Sequence, residues 1–127
     1  MKIYKSLCFL FLLLFSFEVF AAAVKTDKSV DLSFDLINIE GKPTGAAGPT
    51  VALQMNGYIV KMQREGQTSI VETMQAAQTE ANIAPYILNM SNEQFSIVYT
   101  WLTDFSMFYG QARAQLIAAF DAAKKKK

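Results

Sequence analysis

The feature that most constrains the fold is the aromatic-rich segment from Ser91 to Ala123. Seven of the ten aromatic residues that follow position 23 lie in this segment. A capping-box pattern, Ser91-x-x-Gln94, marks where a helix begins, and apolar residues then recur at helical spacing up to Ala123. At 1.5 Å per residue, one helix over residues 92–123 would be about 45–50 Å long. The sequence therefore predicts a long C-terminal amphipathic helix.

The apolar face of this predicted helix is wider than a single core requires. A heptad register puts Phe95 and Tyr109 at a positions and Phe105 at a d position. Trp101 and Phe108 extend the stripe on one flank. The resulting arc spans about 200°, whereas a helix on one core needs about 100°. The chain's own sheet and shorter helix, a partner chain, or a lipid surface would cover such an arc.

One charged residue, Arg113, lies within this arc. Its guanidinium would need a carboxylate, a carbonyl or an aromatic face to contact. We predict that a partner chain covers the flank of the arc that holds Trp101 and Phe108, so that an interface lies there. Its members are Phe95, Trp101, Phe105, Phe108, Tyr109 and Arg113.

Shorter patterns precede the aromatic segment. Apolar and polar residues alternate from Val30 to Leu36, which predicts a half-buried strand. Residues 40–49 hold three of the six glycines and two of the three prolines, which predicts a loop. A second capping-box pattern, Ser69-x-x-Glu72, opens a short helix that ends before Pro85.

The stretch Val51–Met62 fits two structures. As a hairpin, Asn56-Gly57 would form the two-residue turn, and alternate residues on both sides would share one face. As a helix, the stretch would leave Leu53 and Val60 away from the apolar side. It would also place Gly57 in mid-helix, at a cost of about 1 kcal/mol relative to alanine. We favour the hairpin and keep the helix as the alternative.

The N-terminus has the layout of a secretory signal peptide over residues 1–23. Lys2 and Lys5 precede an apolar run, and alanines occupy positions 21–23, where cleavage would occur. We therefore expect export to the periplasm or the extracellular space. An uncleaved signal anchor is the alternative, because residues 6–24 are just long enough to span a bilayer.

Residue types exclude most catalytic chemistry. Histidine is absent from the whole chain, and the single cysteine, Cys8, lies in the predicted signal peptide. The usual general base near neutral pH, the Ser/His/Asp and Cys/His nucleophiles and most transition-metal sites are therefore excluded. The glycine-rich stretch at 41–48 lacks the Gly-Lys-Ser/Thr ending of a phosphate-binding loop. We predict no catalytic residues, no cofactor and no metal site.

Charge is unevenly distributed after position 23. Ten basic and ten acidic side chains balance, but four of the basic ones are the terminal Lys124, Lys125, Lys126 and Lys127. These lysines either cap the last helix or make a weak contact with an anionic membrane or lipopolysaccharide. Because the rest is acidic, no nucleic-acid partner is expected.

Together these patterns predict a small α+β domain. Residues 24–49 would supply the strand and the Gly/Pro loop, and residues 50–127 the Asn-Gly hairpin, the short helix and the long helix. An all-α helical hairpin is the alternative fold. We predict an exported, non-enzymatic interaction or assembly protein of the cell envelope or extracellular space. It would contact partner subunits, or other copies of itself, through the aromatic face of helix 92–123. The alternative is a monomeric binder or inhibitor acting through loop 40–49 and the hairpin.

Overall fold

The computed structural model describes residues 26–124, so the predicted signal peptide and Lys125–Lys127 lie outside the described residues. Four strands and four α-helices follow one another, with one turn of π-helix in the last third. They are β1 Lys28–Asp31, β2 Asp35–Ile37, β3 Pro43–Ala46, α1 Ala47–Arg64, α2 Thr68–Ala81, β4 Ile87–Met90, α3 Asn92–Thr100, the π-helical turn Trp101–Phe105 and α4 Gly110–Lys124. The α+β class is confirmed.

The strands form two separate antiparallel pairs. β1 pairs with β4, with Val30 opposite Leu88, and β2 pairs with β3, with Leu36 opposite Gly45. The alternation predicted from the sequence is confirmed in the burial of Val30, Leu32 and Leu36. The chain bends at residues 32–34, however, so one predicted strand is divided between the two sheets.

The predicted Asn-Gly hairpin is wrong, because Val51–Met62 lies within α1. Val51, Met55, Ile59 and Met62 form a stripe at helical spacing, and all four are buried. Burying a side chain of this size stabilises the fold by about 1.5–3 kcal/mol. Four such side chains outweigh the cost of about 1 kcal/mol for one glycine in mid-helix.

The predicted loop at 40–49 is also wrong over most of its length. Residues 43–46 form β3, and α1 begins at Ala47. Pro49 is tolerated in the first turn of α1, where an N–H group would have no partner within the helix. The first N–H groups of α1 are satisfied by the strands instead. Ala47 N–H donates to the Phe34 carbonyl at 2.8 Å, and Gly48 N–H to the Leu32 carbonyl at 3.2 Å.

Local signals at the other helix starts had different outcomes. At Ser91 the predicted capping box is confirmed: the Ser91 hydroxyl accepts from Gln94 N–H, and the Gln94 side chain accepts from Ser91 N–H. The short helix predicted from Ser69 exists, but it begins at Thr68 with Gln67 as its N-cap. No side-chain capping bond forms there.

The long helix predicted over 92–123 is interrupted. α3 ends at Thr100, and α4 starts only at Gly110. α4 then returns against α3, so that the Phe120 ring lies 5.9 Å from Phe95 and 6.2 Å from Tyr99. Much of the wide aromatic arc is therefore buried inside this chain. The largest fully buried side chains include Trp101, Phe120 and Leu102.

The outer edge of β2 is closed by a side chain of α4. The Gln115 amide accepts from Ile37 N–H at 2.8 Å and donates to the Asp35 carbonyl at 3.1 Å. One amide thus pairs with the strand as a neighbouring strand would. An unpaired sheet edge can pair with another chain, so the Gln115 amide also protects this edge.

Replacing Gln115 by alanine should lower the free energy of unfolding by about 1–3 kcal/mol. The reason is that the variant leaves a part-buried N–H and a carbonyl without these hydrogen bonds. Urea denaturation followed by circular dichroism measures the change. Gln111→Ala, at an exposed position of the same helix, is the control and should change stability by less than about 0.5 kcal/mol. Equal stability of the two variants would contradict the edge-pairing role.

Candidate interaction surface

At the interruption after α3, the backbone and side chain of Ser106 both donate hydrogen bonds to helix carbonyls. In the π-helical turn, Ser106 N–H donates to the Trp101 carbonyl at 2.8 Å. The Ser106 hydroxyl also donates to the Leu102 carbonyl at 2.6 Å. With these carbonyls satisfied, the chain can leave the helix without exposing unpaired groups. Turns of π-helix are rare and occur frequently at functional sites.

Arg113 contacts the same turn from α4. Its guanidinium donates to the Thr103 carbonyl at 3.0 Å and to the Leu102 carbonyl at 3.4 Å. Gly110 makes the return possible, because its φ of +61° is a conformation that favours glycine. Arg113 therefore holds the end of the turn against α4.

The segment from Ser106 to Tyr109 lies outside any helix or strand and is hydrogen-bonded to α1. Met107 N–H donates to the Gln54 side-chain oxygen at 2.9 Å. Phe108 points inward, and its ring meets Trp101 edge to face at 6.5 Å. Met107 and Tyr109, on either side of Phe108 in the sequence, are exposed and point outward.

The structure divides the six residues predicted as one interface. Phe95, Trp101 and Phe108 are buried in the core of this chain, and part-buried Arg113 caps the π-helical turn. Phe105 and Tyr109 are exposed. A continuous helix would have kept the aromatic residues on neighbouring faces. The bend at residues 101–109 turns some inward and others outward.

Five exposed apolar side chains lie around two adjoining grooves, and we call them the apolar surface. Their exposed fractions are 91% (Ile39), 77% (Leu53), 49% (Phe105), 81% (Met107) and 77% (Tyr109). One groove, of about 300 Å³, lies between the β2–β3 turn, α1 and residues 107–112. The other, of about 400 Å³, lies between α1 and residues 101–107. Gln54 and Met107 line both grooves, so the surface is continuous.

Little charge is present on this surface. Among the described residues that line the first groove none is charged, and in the second only Lys61 is. The Lys61 ammonium lies 5.6 Å from the centre of the Phe105 ring. That ring also stacks on Tyr58, with 5.1 Å between centroids. Burial, with the nearby Glu65 charge, raises the pKa of the Tyr58 phenol above its ordinary value.

Residues from both alternative contact regions, the aromatic segment and the predicted loop, lie at this surface. Thr44, from the predicted loop, and Thr50, at the start of α1, line the first groove together with Tyr109. Ile39 lies at the tip of the β2–β3 turn, where Asn38 accepts from Lys42 N–H at 3.0 Å. The loop-based and helix-based contact regions are therefore neighbours rather than opposite faces.

Three residues of the apolar surface were missed from the sequence: Ile39, Leu53 and Met107. Leu53 carried a signal, because a helix at 51–62 leaves it off the apolar side. That misfit counted against the helix, although it marks an exposed apolar residue. Ile39 lies where the strand alternation breaks down. Met107 had no signal, since its exposure depends on the interruption of the helix.

The part of the lysine tail that the structure describes is its first residue. The Lys124 ammonium lies 4.7 Å from the centre of the Tyr99 ring, and the Lys28 ammonium donates to the Lys124 carbonyl at 3.3 Å. The Tyr99 hydroxyl donates to the Asp121 carboxylate at 2.8 Å. Lys124 thus packs on the end of the helical pair, as a C-terminal lysine that complements the helix dipole does.

The pKa of Tyr99 is raised, first by its hydrogen bond to Asp121 and then by burial and by the Asp121 charge, against an opposing effect of Arg113. A raised folded-state pKa means that the contribution to stability is present below about pH 10 and is lost as pH rises through the folded pKa. We expect the melting temperature to fall at alkaline pH. Tyr99→Phe should weaken this dependence of the melting temperature on pH. The dependence that remains should come from Tyr58, whose pKa is also raised. Thermal melts from pH 8 to pH 12 measure it. Identical profiles for the variant and the parent would contradict this assignment.

Two further findings bear on the type of site. Within residues 26–124, no group of three or more histidine, cysteine, aspartate or glutamate side chains is placed to hold a metal ion. In the same range, no helix combines the length and apolarity needed to cross a bilayer. Comparisons with protein-family models, curated proteins and solved structures give no match to this chain.

Proposed function

We propose that this chain is an exported, non-enzymatic interaction protein that docks a partner subunit on the apolar surface. The observation that carries the proposal is the continuity of five exposed apolar side chains around two grooves with almost no charge. Contiguous apolar surface of this kind usually marks an interface, because leaving it in water is unfavourable.

The way the surface is held also supports docking. Met107 is fixed to α1 by Gln54, and Arg113 fixes the turn that carries Phe105. A surface that is already ordered loses less conformational entropy when a partner binds. Phe105 and Tyr109 are aromatic, the class of residue enriched in the cores of interfaces.

The partner is either a second copy of this chain or another subunit. Light scattering coupled to gel filtration, on residues 24–127 over a range of concentrations, tests self-association. We expect a defined oligomer that the double variant Met107→Ser/Tyr109→Ser converts to a monomer with little change in melting temperature. Ile83→Ser is the control, because Ile83 is also exposed but lines neither groove.

A photo-crosslinking amino acid at position 109 tests docking of a different subunit in the secreting cell. We expect adducts of defined mass from position 109 and none from position 83. If the protein stays monomeric and position 109 gives no more adduct than position 83, the docking proposal is wrong.

The monomeric binder remains a second candidate because turn residues line the first groove. It predicts a stable monomer whose binding is lost on Ile39→Ser but survives Phe105→Ser, which lies at the second groove. A weak contact of the lysine tail with an anionic membrane also stays a proposal. Binding to anionic vesicles that disappears when Lys125–Lys127 are removed would support it.

A further inference from the structure

The methionines of this protein differ sharply in exposure. Five methionines lie among residues 26–124, and four of them are at most 6% exposed: Met55, Met62, Met74 and Met90. The fifth, Met107, is 81% exposed. One thioether is therefore open to solvent, while the others are enclosed by the core.

Among residues 26–124, Met107 is also the most accessible sulfur-containing side chain for an oxidant. No cysteine follows position 23, so no thiol competes for oxidants after removal of the signal peptide. The single tryptophan, Trp101, is buried. The proposed export would place Met107 outside the reducing systems of the cytosol.

We propose that oxidation of Met107 to the sulfoxide switches off docking at the apolar surface. This inference rests on the proposed function. With hydrogen peroxide, a lone pair of the sulfur attacks one peroxide oxygen. An S–O bond forms as the O–O bond breaks, and the departing hydroxide takes the proton of the transferred hydroxyl group and leaves as water. The sulfur loses two electrons, and the peroxide gains them.

The position of Met107 connects this chemistry to docking. Its side chain lines both grooves, between those of Tyr109 and Phe105. A sulfoxide is polar and a strong hydrogen-bond acceptor, so burying it in an apolar interface leaves it without a partner. The contact to Gln54 involves the Met107 backbone N–H and not the thioether, so oxidation leaves this hydrogen bond in place. A docked partner would cover the exposed Met107 thioether and so shield it from the oxidant.

The first experiment locates the oxidation. The folded, secreted protein is treated with hydrogen peroxide, and peptides are mapped by mass spectrometry. Met107 should gain one oxygen atom at least about ten times faster than any buried methionine. In denaturant, all five methionines should react at similar rates, which controls for intrinsic reactivity. Oxidation of Met107 no faster than that of Met55 or Met74 in the folded protein would overturn the proposal.

The second experiment measures docking by self-association and by crosslinking from position 109. In oxidised parent protein, either signal should fall at least about tenfold. Methionine sulfoxide reductases for both sulfoxide epimers should restore it. Met107→Leu is compared only with itself: whatever its docking signal, peroxide treatment should leave that signal unchanged, because leucine has no thioether to oxidise. Undiminished docking after full oxidation of Met107 would overturn the switch but leave the proposed function standing. If the unoxidised protein does not dock at all, the proposed function fails and the switch fails with it.

Discussion

Trp101→Ala is expected to lower the free energy of unfolding by about 3–5 kcal/mol, a large part of the 5–15 kcal/mol typical of a whole domain. The Trp101 side chain is only 1% exposed. Trp101 is the first residue of the π-helical turn, and its ring packs edge to face on Phe108. Truncation removes the apolar contacts and leaves a cavity that the pinned 106–109 segment cannot fill by moving inward.

This result is best read by urea denaturation with far-ultraviolet circular dichroism, because the variant lacks the only tryptophan. Phe105→Ala is the matched control, an aromatic residue in the same turn that is about half exposed. It should cost about 1 kcal/mol, mainly the stacking on Tyr58. Equal, small losses for the two variants would mean that Trp101 is not part of the core. The flank first predicted from the sequence would then be the contact face.

Gly48→Ala is expected to destabilise the fold by about 3 kcal/mol and to lower the melting temperature by more than about 10 °C. Gly48 lies in the first turn of α1, where the helix meets the end of α2. A β-carbon there would collide with the Ala81 carbonyl oxygen and lie 2.8 Å from the Tyr86 β-carbon. The Ala81 oxygen is backbone, so relief requires one helix to move.

A second glycine in α1 provides the control. At Gly57 a β-carbon would have nothing within 4 Å. Gly57→Ala should therefore stabilise the protein by about 0.5–1 kcal/mol, because alanine loses less backbone entropy in a helix. Opposite signs for the two substitutions are the expected outcome of thermal melts. A neutral or stabilising Gly48→Ala would contradict the close approach of α1 to α2.

The candidate surface shows what sequence patterns can and cannot predict. Exposed Phe105 and Tyr109 were predicted as contact residues from helical spacing alone, and they lie on the apolar surface. Trp101 and Phe108 were predicted by the same reasoning but are buried. Spacing identifies which residues are apolar and share a face, but the 101–109 interruption decides which of them reach solvent.

The hairpin error has a similar cause. Asn56-Gly57 is a strong local turn signal, yet Val51–Met62 is helical. The apolar stripe of α1 buries against the rest of the core, and that gain exceeds any local preference of two residues. A tertiary contact, the close approach at Gly48, also places the start of α1 within the predicted loop.

By itself the sequence determined the features that depend on near neighbours. These are the α+β class, the alternation of buried residues from Val30 to Leu36 and the capping box at Ser91. Each rests on backbone groups or side-chain directions within a few residues. Only the tertiary structure decided that α1 is a helix, that the C-terminal segment folds back at Ser106, and that Met107 faces solvent. The helix α1 depends on burial of its apolar stripe, and the path of the C-terminal segment depends on Gln54, Gln115 and Arg113, whose partners lie 53, 78 and 10 residues away in the sequence. Such bonds form only after the chain has packed, so no local pattern records them.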